Sequence, residues 1–340
     1  MSDTSSLNTV LARHSGATAD GLPAALAALH ALLPVRGDPK TGADLMTLLR
    51  MLYTVARCDL PLVRLFEGHV DALQNIGRYA DPGIAADAEA AAATGAIFGV
   101  WNAALPDQPL RLVNGALHGG KSFASGAGVL THALAGADTV DGNRLVLIDL
   151  AASCPVIDRS WWHVIGMQRS ETHVVRWNGA PSHSFQFVGT PGDYAREPFF
   201  SGGALRFIAC HAGGVAALFD HVRAHLIATD RAGDPHQAVR LAELYTAAET
   251  AASAIRTAAT GWCSPGFIDN VAAARMIVTE SAERAILTAQ AAVGVAGMFE
   301  AHPLSAALTN LMVYLRQPMP DAQRMRVGKA AADGDLDPAL

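Results

Sequence analysis

Cysteine is scarce and dispersed. Cys58, Cys154, Cys210 and Cys263 lie far apart, with no C-x-x-C pair among 340 residues, which argues against a disulfide framework and for reduced thiols. Clustered positive charge is also missing. The net charge is -6, and the lysines and arginines form no stripe, so the chain carries no electrostatic footprint for nucleic acid or an anionic membrane surface. Met1 to Ser6 is polar, without the basic-then-apolar order of a leader. No apolar run reaches the roughly 18 to 20 residues that span a bilayer. These absences together lead us to expect a cytoplasmic protein that binds neither nucleic acid nor membrane and holds no metal. What the chain has in quantity is apolar surface: 51% of its residues are hydrophobic, enough for a large core shared by two or three subdomains.

From Gly21 to about Thr94 the apolar residues recur at helical spacing. Leu26, Leu29, His30 and Leu33 share a face, Pro34 and Gly37 break it, Thr41 is placed to cap the next helix, and Asp59-Leu60-Pro61 opens a third. Glu67-Gly68-His69 sits within that third helix. Neighbours on a helix point about 100° apart, so His69 is expected to be a satisfied core histidine and Gly68 a packing position. From Ile97 the period shortens. Phe98–Asn102, Leu110–Val113, Val129–Ala135, Arg144–Leu150, His173–Trp177 and Ser184–Val188 read as strands, separated by turns at Asp141-Gly142-Asn143, Asn178-Gly179 and Pro191-Gly192-Asp193. After Gly203 the pattern is helical again, over Leu205–Ile227, Gln237–Ala259, Phe267–Val293 and Pro303–Leu315. Four helices with short connections form a bundle.

The densest glycine run, Asn114 to Gly128, lies among the strands, where glycine lets backbone approach a flat ligand or a packed sheet. Within it, Asn114-Gly115, Lys121, Phe123, Ser125 and Gly126 resemble the N-G-x-K-x-W-x-[ST]-N-G signature of the acyl-CoA dehydrogenase family. An insertion follows the Asn-Gly, and phenylalanine stands where the family has tryptophan. Gly166-Met167-Gln168-Arg169-Ser170-Glu171-Thr172 resembles the family's G-M-R-[GA]-[ST]-x-[TS] turn. Trp161-Trp162, just upstream, reads as a structural plug or a flavin-edge contact, with the core as the default assignment for large aromatics. The order helices, strands, bundle is similar to the family from about Asp59 to Ala322.

That resemblance implies a mainly α protein with a central β domain (α+β): an abbreviated N-terminal helical domain over 1–95, a β-barrel-like domain over 96–195 and a four-helix bundle over 196–340. It also implies FAD. Trp101 and Asn102 occupy the place of the family's flavin-reaching L-T-E-P segment. By motif position Phe123 lies against the isoalloxazine and the Ser125 hydroxyl donates to its edge. Arg231 and Gln237 match the pair that meets the diphosphate of a neighbouring subunit's cofactor, and Gly294 is what remains of Q-x-x-G-G-x-G. The implied substrate is an acyl thioester on coenzyme A or a carrier protein, and the implied assembly a homodimer or homotetramer.

The family's catalytic glutamate is missing. Pro318 takes its place after Tyr314, and the alternative location falls at Leu205-Arg206. No catalytic residue is assigned, and His211 and Glu300 are the substitutes to test. His302, like His211, is also a candidate neutral base or a satisfied histidine. Three readings stay open: an acyl-CoA dehydrogenase-like oxidoreductase without the usual base, a flavin-dependent oxygenase of the same fold, and a non-catalytic binding or assembly homologue.

Overall fold

The structure is a computed structural model that describes residues 2–317 and 319–338; Pro318, singled out above, lies outside the described residues. Five helices and one strand open the chain. Helices α1 (Ser2–His14), α2 (Leu22–Ala31), α3 (Gly42–Cys58), α4 (Leu60–Tyr79) and α5 (Pro82–Ala93) lead into strand β1 (Phe98–Trp101). Thr41 does cap α3: its hydroxyl accepts from Asp44 N–H at 3.1 Å, and the Asp44 carboxylate accepts from Thr41 N–H at 3.0 Å. This is the reciprocal capping box. Helix α1 was not anticipated, because its polar start masks the buried Leu7 and Leu11.

Strands β2 (Arg111–Val113), β3 (Ala116–Ala124), β4 (His132–Thr139), β5 (Gly142–Asp149), β6 (Val156–Asp158), β7 (His173–Ala180) and β8 (Phe185–Val188) complete a mixed sheet in the order β6-β7-β3-β2-β4-β5-β8, with β1 parallel to β4. The glycine run is therefore itself a strand, β3, joined to β2 by the Asn114-Gly115 turn. A side chain at Gly119 (φ +95°) would meet Pro109 O at 2.2 Å, so there the close approach is to neighbouring backbone. The expected strand at Val129 starts later, at His132. Val129 and Leu130 instead close a turn, both N–H groups donating to Gly126 O.

The C-terminal helices are α6 (Phe199–Gly202), α7 (Ala204–Ala228), α8 (Pro235–Thr260), α9 (Phe267–Val293), α10 (Pro303–Tyr314) and α11 (Pro320–Asp333). The last was not foreseen. Over 199–228 the chain is long and apolar enough to cross a membrane, but 72% of its most apolar 18-residue window is buried in the protein. Its hydrophobicity is that of a helix packed on several sides.

By compactness the chain forms two units. One comprises residues up to Pro39 with Arg64–Val164 and Gln168–Arg196; the other comprises Lys40–Val63, Ile165–Met167 and the chain from Glu197 onward. In the first, Leu73 and Ile76 of α4 and Ala88 and Ala92 of α5 pack on Phe98, Leu134, Leu145 and Val188 of the sheet. His69 is satisfied there, as expected. Phe98 N–H donates to its Nδ1 at 3.1 Å, which leaves Nε2–H to donate to His30 Nδ1 at 3.0 Å. Gly68 meets only the Arg64 side chain, at 3.3 Å, so no helix crossing depends on it.

In the second unit, α3 approaches α7 closely at Gly213, where an added Cβ would lie 2.4 Å from Tyr53 O and 2.6 Å from Ala56 Cβ. Arg57 and Asp220 clamp the same pair of helices with two bonds, at 2.6 and 2.8 Å. His211, fully buried on α7, donates from Nε2 to Tyr314 O at the end of α10, at 3.1 Å.

Two stability measurements follow. Gly213→Ala gains up to about 1 kcal/mol of helix propensity but meets backbone, so overpacking of about 1 to 3 kcal/mol wins and the urea midpoint falls. Gly77→Ala, with nothing within 4 Å of the new methyl, raises it. In the pH dimension, burial pushes His69 and His211 down to about 3. The unfolded chain takes up these protons below about pH 6.5 and the folded chain does not until about 3. The contribution of these two histidines to stability is therefore flat above pH 6.5 and declines below it, by up to about 1.4 kcal/mol per pH unit for each histidine. His211→Gln makes the decline shallower in urea titrations between pH 7 and 4.5, and an unchanged slope contradicts this.

Candidate functional site

Strand β3 bulges near its end: the pairing with β7 shifts between Lys121, opposite Val175, and Ala124, opposite His173. A bulge turns a side chain out of the alternation of the strand. Phe123 takes a left-handed backbone, φ +50°, and is 54% exposed. Trp161 stands edge-on to it with centroids 4.8 Å apart, and Trp162 at 6.2 Å. The default assignment of this tryptophan pair to the core is thereby corrected, since Trp161 is 39% exposed. These three aromatics form a cluster on the first unit at the C-terminal end of β3.

The two motif segments meet immediately after the bulge. Gly126 N–H donates to Ser170 O and Ala127 N–H to Glu171 O, both at 2.9 Å. Thr172 Oγ1 donates to Ser125 Oγ at 3.0 Å, and Ser170 Oγ lies 2.7 Å from Thr172 Oγ1. A hydroxyl has one proton. With the Thr172 proton committed to Ser125, Thr172 accepts from Ser170, and the chain runs Ser170 to Thr172 to Ser125. Ser125, half-buried at its end, keeps its own proton to give. The Ser125 side chain is thus bonded to the second motif segment and not to its own strand.

Trp101 buttresses this turn from below, its indole N–H donating to Ser125 O at 2.8 Å. The next residue points elsewhere: Asn102 Oδ1 lies over Gly136 of β4, 2.4 Å from where a Cβ would be. Lys121 is buried, and burial pushes its amine down to about 8, partly offset by Asp138.

In the second unit Arg231 and Gln237 are brought together. With its amide turned to face them, Gln237 accepts from Arg231 at 2.5 Å and from Arg240 at 3.2 Å. Gln237 is 1% exposed, so it acts as a buried anchor for two guanidinium groups at the start of α8. Arg240 was missed, although its spacing of three from Gln237 puts it on the same helix face. Gly294 ends α9 with φ +72° and open space around it. Gly166 and Met167 also belong here, Met167 N–H donating to Asn310 Oδ1 at 2.6 Å.

None of the proposed substitute bases has the properties of one. His302 accepts from Leu304 N–H at Nδ1, capping α10, and faces His225 Nδ1 through Nε2 at 3.0 Å, so both nitrogens are occupied. Glu300 is exposed. His211 has the correct surroundings for a ligand acceptor, with Phe207 and Tyr314 rings at 5.5 and 4.8 Å and Nδ1 buried without a partner. Its basicity is too low for proton abstraction at neutral pH. Arg275, over the Phe207 ring at 5.1 Å, adds positive charge here. Among the described residues no cluster of three His, Cys, Asp or Glu side chains is suited to a metal.

No family model matches the sequence, and no curated protein does. Solved structures match along nearly the whole chain. KijD3 in complex with dTDP superposes with a TM-score of 0.78 at 18% identity, over 97% of this chain and 95% of that one. Dibenzothiophene monooxygenase TdsC from Paenibacillus sp. A11-2 gives 0.77 at 16%, over 98% and 97%, and butyryl-CoA dehydrogenase from Megasphaera elsdenii 0.77 at 13%, over 97% and 98%. KijD3 and TdsC have each been solved with FMN. Helices, a mixed sheet and a helical bundle in this order give the chain the acyl-CoA dehydrogenase-like fold, carried by a strongly divergent sequence.

Proposed function

We propose that the chain is a flavin-dependent oxidoreductase, and that it works as an oxygenase and not by dehydrogenating an acyl thioester. The observation that carries the flavin reading is the hydroxyl chain ending on Ser125, which leaves one directed donor beside the exposed ring of Phe123. A flat heteroaromatic ring with acceptors along one edge fits that pair. Phe123 supplies the apolar face, Ser125 the hydrogen bond, and Trp101 holds the Ser125 carbonyl in place. Asn102 remains a proposed ring contact through a change of rotamer. The cofactor proposed is FAD: Arg231, Arg240 and the buried Gln237 suit the diphosphate of a neighbouring subunit's cofactor, and Gly294 leaves room for a ligand to approach backbone. FMN, present in complexes of two matching structures, is the other outcome of a cofactor assay.

The oxygenase reading is favoured by what surrounds the two base locations. Leu205-Arg206 and 314–317 supply no carboxylate of their own, the one that reaches them, Glu283, is paired with Arg316 at 3.5 Å, and His211 and Arg275 add a weakly basic imidazole and a cation. Removal of a proton alpha to a carbonyl needs a base matched to the operating pH. Oxygenation does not: reduced flavin supplies two electrons, so that one atom of O2 enters the substrate and the other leaves as water. The chain's own part is to seat the ring, direct a donor at its edge and keep the aromatic wall dry. The dehydrogenase reading, with a substrate borne by coenzyme A or a carrier protein, is the alternative.

We further propose a homodimer or homotetramer, supported by exposed Val239, Tyr245, Leu287, Val295 and Phe299 on the second unit. Light scattering at the monomer mass of 35.4 kDa at micromolar concentration contradicts it.

The functional test is anaerobic mixing. Bound flavin is expected to stay oxidised with a panel of straight-chain acyl-CoAs, to bleach with an external reductant and to recover in air. Bleaching by an acyl-CoA at rates on the order of 10 s⁻¹ restores the dehydrogenase reading. Ser125→Ala removes one hydrogen bond of about 1 kcal/mol and is expected to weaken flavin binding roughly fivefold with a shifted absorbance band. An unchanged spectrum and affinity remove Ser125 from the site.

A further inference from the structure

Glu171 lies in the left-handed region at φ +45°, a conformation that favours glycine and, among other residues, asparagine or aspartate. A turn with only a structural task is served better by glycine. Here the glutamate side chain is anchored from two sides, by Arg159 Nη1 at 3.0 Å and by His173 Nε2 at 3.2 Å. Arg159 is more than half exposed, so its ion pair is screened and weak. The stronger anchor is His173, which is buried and is held by its place opposite Ala124 in the sheet. Its Nε2–H donates to Glu171, and this leaves Nδ1 buried without a partner. A strained glutamate and an orphaned imidazole nitrogen are two local costs at one turn.

The second falls on His173, and the first on the residue between Ser170 and Thr172. Those two supply the hydroxyls that end on Ser125, while the carbonyls of Ser170 and Glu171 receive Gly126 and Ala127 N–H. The direction of the Ser125 proton therefore depends on the backbone angle at Glu171. We infer that Glu171, held by His173, is the positioning residue for the Ser125 donor. For its consequence at a cofactor the inference rests on the flavin reading; its structural half stands without it.

The experiment compares the full-length wild type with Glu171→Gly, Glu171→Gln and Ser125→Ala. It reads thermal melting, amide hydrogen exchange at Gly126 and Ala127, and the spectrum of flavin during titration. Glu171→Gly relieves the backbone strain, so melting is expected to hold or rise. Exchange at Gly126 and Ala127 is nonetheless expected to quicken about tenfold, and the flavin band to move as in Ser125→Ala. Glu171→Gln keeps an oxygen that accepts from His173 and is expected to retain wild-type exchange and spectrum. Wild-type exchange and spectrum in Glu171→Gly overturn the inference. A Gln variant that behaves like the Gly variant overturns it too, because the bond from His173 is then not what holds the turn. If the wild type takes up no flavin, the flavin reading fails by itself, and exchange in the unliganded protein still decides the role of Glu171.

Discussion

The site depends on one docking event, the seating of the turn after Phe123 on the Ser170-Glu171 backbone through two N–H to carbonyl bonds of 2.9 Å. Buried or half-buried backbone groups must find partners, and this pairing satisfies them while fixing three side chains at once. Phe123 is turned outward by the bulge, Ser125 receives the Thr172 proton, and Trp101 locks the intervening carbonyl. Left-handed residues at Phe123 and Glu171 flank the contact. Strain of this kind persists only where surrounding structure over-determines it, and the eight-stranded sheet provides that frame.

The bundle contributes a different kind of constraint. His211 holds the end of α10 by its Tyr314 carbonyl, and Gln317 Nε2 donates to the same oxygen at 2.9 Å. Burial keeps that imidazole neutral, so it serves as a hydrogen-bonding strut and not as a proton acceptor. Arg275 stands over the neighbouring Phe207 ring, and the carboxylate that reaches the chain after α10, Glu283, is paired with Arg316 at 3.5 Å.

The large elements were legible because their periods are long and clean. The three longest bundle helices fall within three residues of their expected starts, and the Thr41 cap was readable from a single side chain with its partner three residues on. β3 was harder: His118-Gly119-Gly120-Lys121 has no alternation, since close backbone approach and not side-chain packing selects its glycines. Lys121, Phe123 and Ser125 were found through a motif. Glu171 was not, because it occupies the motif's variable position and its significance is a backbone angle. Arg240 escaped for a similar reason, being one of many surface-type arginines until a buried amide three residues away gives it a partner. The tryptophan pair misled for the opposite reason, since large aromatics are core residues by default and only the bulge beside them makes an exposed cluster.

The central claim is that the outward face of Phe123 and the free proton of Ser125 form one ligand site for a flat ring. An experimental structure of the protein saturated with flavin tests it most directly. The account predicts the isoalloxazine against Phe123, with a ring heteroatom within about 3 Å of Ser125 Oγ and the Thr172 to Ser125 bond intact. A flavin seated elsewhere, or a Ser125 hydroxyl turned back onto its own strand with the ring bound, would contradict it.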